Sequence, residues 1–506
     1  MALSRNPITL TLLLVSFSPI ATGLTATLDL TSRLPAEDLS RVRIELEVGG
    51  MLQWNQEGLG QADNPDHLSD QLPIHVDAKL SYHERRLDRS TELASDEDFP
   101  PILSALRYYH QAEAKIRIDQ QIHARSLTPK NRIVLLRQPA AARATFLGIG
   151  SFLERQQLDL IDVIGNSLTV NRLLPSKLVS ATDSWNQNAG TMAALLGLDT
   201  VTVCEVSSTV DKISPRYVQV RMRGAVHGMI DGAPTELELR GLYRFDHHSG
   251  RVTRMNLAVK EKRSVGHATP GLDVVAKVRL VVEPLKSSEK LTDRLIATMD
   301  ADGRTFNDLL EYHAREQGFR FLHDRAWFVT SQERDALTLR RIENGDLIAY
   351  CTIKCLPVKS AGRQTSMEDF QKDIRFSLGK DFGYFVRGRE WTNQHGHHCT
   401  AVVVRGVVEE IPVEWHYYLV APEEGHRVSL ALTMEEPDAG RLGETDQNLV
   451  DSLELIALEP TSTQGNSSQP ATAANRTTKP APTTARRRTT PRRRPTNSSR
   501  RRGSPR

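Results

Sequence analysis

Four cysteines in 506 residues are too few to staple a disulfide scaffold. No apolar run beyond the amino terminus approaches the roughly 20 residues that a membrane-crossing helix needs. The chain has no Gly-x-Ser-x-Gly elbow, no His-Glu-x-x-His, no Walker loop and no Gly-x-Gly-x-x-Gly. The usual local signatures of hydrolases, zinc proteases and nucleotide-binding enzymes are therefore missing. Paired acids such as Glu409-Glu410, Glu423-Glu424 and Glu435-Glu436 do not replace them, because adjacent strand residues face apart. The most informative absence is local. Residues 461–506 contain twelve basic side chains and no acid.

That terminal segment is built from Thr, Ser, Pro and Asn around three arginine triplets: Arg486, Arg487 and Arg488; Arg492, Arg493 and Arg494; Arg500, Arg501 and Arg502. With so little apolar surface it cannot offset the entropy of ordering itself, so residues 460–506 are expected to be a disordered basic tail. The rest of the chain keeps 53 of the 65 basic residues against all 62 acids, a balance of −9. A mildly acidic body thus carries a cationic tether, and its nine triplet arginines are the expected polyanion-binding residues. Anionic envelope polymer and lipid headgroups are the expected partners. The tail has no aromatic residue to stack on bases, which argues against sequence-specific nucleic-acid recognition.

The amino terminus reads as an export signal. Arg5 precedes the apolar run Ile8–Phe17, Pro19 breaks it, and Ala21-Thr22-Gly23 presents small residues at a cleavage site. The expected mature protein starts after residue 23, has no transmembrane segment, and belongs to the periplasm or cell surface.

Between the ends, alternation and turn chemistry predict an α+β protein of two domains. Residues 24–286 are expected to form an antiparallel β-rich domain, a curved meander or half-barrel with covering helices. Its clearest part is four strands, at Tyr217–Val226, Thr235–Phe245, Val252–Lys262 and Leu272–Val282. They are joined by Gly- and Asp-rich turns, Asp231-Gly232 among them. Residues 287–459 are expected to place helices at Phe306–Gln317, from Ser366 to Lys380 and at Gln447–Leu455 against one antiparallel sheet. A hairpin at Asn344-Gly345 belongs to that sheet.

Phe319-Arg320-Phe321 before Trp327-Phe328, the helix start at Ser366–Phe370, and the closing Asp446–Leu455 segment resemble a PsbP-like domain over Gly318–Ala457. That resemblance implies an αβα sandwich used for binding or assembly, with no catalytic signature. Arg240–Asp246 (RGLYRFD) and Pro270–Ala276 (PGLDVVA) are similar to uncharacterised exported proteins of planctomycete-type bacteria.

One constellation could carry metal chemistry. His395, His397, His398 and Cys399 offer imidazole and thiolate ligands within five residues, suited to Zn²⁺ or Cu⁺, with Gly396 at a hairpin tip as the competing explanation. Cys355 and Cys399 lie on strand-like runs, where a cross-strand bridge competes with four small buried thiols. No cofactor is expected. These features together suggest an exported, non-enzymatic binding or assembly protein of the cell envelope. A hydrophobic-ligand carrier using the curved sheet, or a metal-dependent enzyme at the histidine cluster, are the alternatives.

Overall fold

The computed structural model describes residues 27–35, 38–54, 70–87, 102–301, 306–357, 365–422 and 426–456. The expected signal peptide and the arginine tail lie outside these residues. No helix among the described residues is long and apolar enough to cross a membrane.

Eight antiparallel strands of 13 to 17 residues dominate the first half. Their order across the sheet is Leu103–Ile118, Asp70–Arg86, Leu39–Trp54, Gly271–Pro284, Arg251–Arg263, Ala233–Asp246, Tyr217–Ile230 and Thr200–Ile213. Alternation decides which face each side chain takes. On Ala233–Asp246, Leu237, Leu239, Tyr243 and Phe245 are buried while Glu236, Glu238 and Arg240 are exposed. The buried face packs on the short helices Arg155–Ile161 and Ala189–Leu196 and on the single turn Val170–Leu173. Asn188 caps the second helix through its side-chain oxygen, and Gly197 closes it in the left-handed conformation.

A fully buried ion pair sits within that core. Arg107 donates from Nε to Glu84 at 2.7 Å and from Nη2 to Asn166 at 2.7 Å, and its guanidinium lies 4.5 Å over the Tyr82 ring. Ser167 donates to Glu84 at 2.8 Å and contacts the Tyr82 hydroxyl at 3.1 Å.

The second half is a seven-stranded antiparallel sheet, and a three-stranded sheet lies beside it. Helix Met367–Leu378, capped by Ser366, buries Phe370 and Ile374 on one face against Val402, Val404 and Trp415. The other face is covered by the strands Leu310–Ala314 and Phe319–His323, with the short helix Thr445–Asp451.

This arrangement corrects the expected α+β class. Strands account for 58 % of the structure and helices for 15 %, so the protein is mostly β and its second half is not an αβα sandwich. The expected helix Phe306–Gln317 is the decisive difference. Phe306–Asn307 pairs with the long sheet's strand Thr145–Ile149, and Leu310–Ala314 pairs with Phe319–His323 around Gly318. The apolar spacing of that segment suits a helix, but both flanking sheets present open edges to it, and tertiary pairing overrides local propensity. Arg107–Ala124 spans two strands, Leu103–Ile118 and Gln121–Ser126, joined by a turn at Asp119-Gln120.

Two hairpin tips bring the halves together. Asp231-Gly232 and Asn344-Gly345 each take positive φ at both residues, 48° and 78°, and 52° and 92°. A Cβ on Gly232 would lie 2.2 Å from the Gly345 Cα, so the tips touch backbone to backbone.

In the second half His416, Glu414 and Asp446 are all buried. The imidazole contacts Asp446 through Nδ1 at 2.5 Å and Glu414 through Nε2 at 2.8 Å, while Tyr418 donates to Asp446 at 2.5 Å. Burial alone would lower the His416 pKa, but the two carboxylates outweigh it and raise it, and the imidazole in turn holds both carboxyls below their usual range. The histidine's contribution to stability is therefore complete below its ordinary value of about 6.5 and is lost as pH rises through the raised one. The carboxylates' contribution is present above their usual range and lost on acidification. His416→Gln should cost about 1–3 kcal/mol at pH 6 by urea denaturation, because it removes the buried cation between two carboxylates that keep Arg405 and Tyr418 as their other partners. The difference from wild type should narrow at pH 9; an unchanged gap would show that the imidazole is not charged in the native state.

Candidate functional site

Helix Arg155–Ile161 places Arg155 and Asp159 one turn apart on the same face, at the rim of a cavity of about 760 Å³. The cavity lies between the end of the long sheet and the hairpin that begins at Trp327. Ile164, Leu237 and Val259 form its apolar side, and Tyr312, Trp327, Phe328 and Val329 close it from the second half.

The basic groups of the wall are committed to protein partners. Arg155 donates to the backbone carbonyls of Arg325 and, at 3.3 Å, Trp327, and lies 4.4 Å over the Phe328 ring. Arg143 donates to Asp162 at 2.8 Å and to Asp231 at 3.5 Å. Arg263 is held by Glu261 at 2.9 Å. Glu311 is shared by Lys130 at 3.2 Å, His313 at 3.1 Å and Arg320 at 3.5 Å.

Asp159 is different. Among the described residues it has no hydrogen bond and no ion pair, although its surface is open to the cavity. Protein on its inner side pushes its carboxyl up to about 6 despite the nearby charges of Arg155 and Arg143, an effect moderated by the solvent to which the side chain is exposed. His323, almost fully buried in the same wall, is pushed down to about 4 by burial and is neutral at pH 7; its Nδ1 contacts the Asp324 carbonyl at 2.7 Å. The buried Trp327 Nε1 and Thr269 Oγ1 have no hydrogen-bond partner. Chemically, the wall can exchange a proton near neutrality at Asp159, hold a cation there, and pack an apolar body opposite.

The histidine cluster is spread apart rather than gathered. Asn393, donating to the Val450 and Leu453 carbonyls, accepts the backbone N–H groups of His395 and His397 at 3.0 Å each and so shapes the tip. His395 faces Glu454 at 3.6 Å, His397 meets the Leu455 N–H at 3.4 Å, and His398 faces Glu390 at 4.0 Å. Cys399 is in the core, where burial pushes its thiol up to about 12. Among the described residues no three His, Cys, Asp or Glu side chains gather to hold a metal ion. Cys355 reaches the Gln317 carbonyl at 3.3 Å, and all four thiols are unbridged.

The long sheet's outer face forms a larger but open trough of about 1600 Å³. Its wall is charged, with Lys277 3.7 Å from Glu47 and Arg279 3.6 Å from Glu45. Gly224, at φ 150°, lets the neighbouring strand approach closely, since a Cβ there would meet the Glu205 carbonyl oxygen at 2.0 Å. The apolar inner face packs on the protein's own helices.

No family model and no curated protein matches the chain. Several solved structures are similar to parts of it. The cyanobacterial PsbP protein (CyanoP) of Synechocystis sp. PCC 6803 aligns at 13 % identity over 29 % of this chain and 93 % of its own, with a TM-score of 0.24. A Bacteroides thetaiotaomicron protein aligns at 9 % identity and a TM-score of 0.21 over 29 % of this chain, which spans 48 % of that protein's length. A Pseudomonas aeruginosa protein of unknown function aligns at 12 % identity over 31 % of this chain and 100 % of its own, with a TM-score of 0.20. The PsbP likeness is thus partial, and TM-scores this low define neither fold nor activity.

Asp159 offers a direct check on the cavity's electrostatics. Its raised pKa means that the folded state binds a proton more tightly than the unfolded one, so stability falls as pH rises from about 4 to about 6. Asp159→Asn should raise the thermal midpoint at pH 7.5 and leave it unchanged near pH 3.5. Equal effects at both values would mean that the carboxyl is not held in an enclosing wall.

Proposed function

We propose that this chain is an exported, non-enzymatic binding protein of the cell envelope, with the junction cavity as its ligand site. The observation that carries this reading is the cavity itself. It has the size of a small-molecule site, an apolar side, a few convergent polar groups and one carboxylate without a partner. The basic tail, with its arginine triplets from Arg486 to Arg502, tethers the protein to anionic polymer or lipid headgroups of the envelope.

Native mass spectrometry of the untagged mature protein tests the site. The expected result is a co-purified small-molecule mass that disappears in Ala268→Trp, a substitution that fills the cavity from its wall. A clean mass in wild type, together with no thermal stabilisation by any of a diverse metabolite set, would overturn it. The tether has a separate test. A chain ending at Pro460 should lose salt-sensitive retention on anionic envelope fractions, and unchanged retention removes the tail from the account.

A further inference from the structure

We infer that the junction cavity takes an organic ammonium, a protonated amine carried on an apolar or aromatic body. This rests on the reading of the cavity as a ligand site and goes further by naming the ligand's chemistry.

The inference comes from pairing the charges in the wall. Arg263 neutralises Glu261, and Lys130 and Arg320 neutralise Glu311. Arg143 is divided between Asp162 and Asp231, two acids for one cation. Arg155 is the natural partner for Asp159, four residues away on the same helix face. It is turned aside instead, to two backbone carbonyls and the Phe328 ring. The wall is left with surplus negative charge, and Asp159 is its unengaged member. An anionic ligand would meet guanidinium groups already committed and a carboxylate already exposed. A cation meets the reverse: a free carboxylate acceptor, with no protein cation to displace.

The apolar part of the lining supplies the second half of the specification. Tyr312, Val329, Ile164 and Val259 line the cavity beside Phe328, one face of which Arg155 covers, so a ligand whose charged end lies at Asp159 buries its other end against aromatic and aliphatic surface. The buried Trp327 Nε1 and Thr269 Oγ1 of this wall also lack a hydrogen-bond partner, as do Arg155 Nε and several buried groups elsewhere in the molecule.

The charged groups around Asp159 are Arg155 on its own helix, Asp162 just beyond that helix, Arg143 from the preceding loop and Asp231 from the hairpin tip. An ammonium placed among them stabilises the ionised carboxylate, so affinity falls as pH drops through the region near 6 where the empty site takes up its proton.

The test uses the full mature protein and three matched probes: phenethylamine, 2-phenylethanol and 3-phenylpropionate, titrated by calorimetry. At pH 7.5 the amine is expected to bind at least about tenfold more tightly than the alcohol, with the carboxylate weakest. Asp159→Asn should erase the preference for the amine while keeping alcohol binding, a split that a misfolded variant would not show. In wild type, amine affinity should drop at pH 5.0 while alcohol affinity stays constant. Alcohol or carboxylate binding as tight as the amine overturns the ammonium inference and keeps the site. An undiminished amine preference in Asp159→Asn also overturns it. Absence of binding by all three probes overturns both the inference and the site.

Discussion

Arg155 leaves the first turn of its helix, turns away from the carboxylate one turn on, and donates to carbonyls of the second half while stacking on Phe328. Arg325 returns the contact by donating to the Phe146 carbonyl of the long sheet. The two arginines thus exchange bonds with backbone across the junction, where each carbonyl accepts from a charged donor. Charge-assisted bonds of this kind are stronger than neutral ones and fix orientation as well as distance. The cavity depends on them, because they hold the aromatic hairpin over the helix at a spacing that side chains do not fill. They also decide its chemistry, since an Arg155 free to close on Asp159 would leave no unengaged carboxylate.

Elsewhere the protein buries charge in the opposite manner. Arg107 with Glu84, and His416 with Glu414 and Asp446, are networks in which nearly every lone pair and proton has a partner. At the sheet's other end Arg251 grips Asp38 through both terminal nitrogens and donates to Ser40 at 2.8 Å, while its buried Nε has no partner. Such networks add little net stability over apolar replacements of the same shape, but losing one member costs several kcal/mol because the remainder is stranded. Set beside these satisfied networks, Asp159 is a carboxylate of the cavity wall that has no ion pair.

Much of the strand pattern is visible in the residues themselves. The four strands from Tyr217 to Val282 occur within four residues of their expected ends, because strict alternation and turn residues are local properties. The turns at Asp231-Gly232 and Asn344-Gly345 are equally legible, since only certain residues tolerate positive φ. What fails is whatever depends on a distant edge. Leu310–Ala314 has helical spacing, and only the presence of Phe319–His323 beside it makes it a strand. The candidate site is less legible still. Asp159, Arg143 and Trp327 come from three separate stretches, and nothing near Asp159 in sequence reveals that Arg155 is occupied elsewhere. The one local signal was Arg155-x-x-x-Asp159 on a short amphipathic helix, a spacing so common on exposed helix faces that it does not stand out. The histidine cluster shows the converse: dense in sequence, yet divided by Asn393 and the strand pleat among separate partners.

The meeting of Gly232 with Gly345 has a consequence for how the molecule can accommodate change. A side chain at Gly232 would overlap the Gly345 backbone, and one at Gly345 would sit 3.0 Å from the Gly232 Cα, so the tips form a bearing surface of bare backbone. Swinging the halves apart like a clamshell would separate these tips and break the Arg155 and Arg325 bonds across the junction. Rearranging side chains at the cavity's mouth admits a molecule without either change. Diversification of the pocket during evolution is confined in the same way: its lining can vary residue by residue, while the frame that sets its width stays the same.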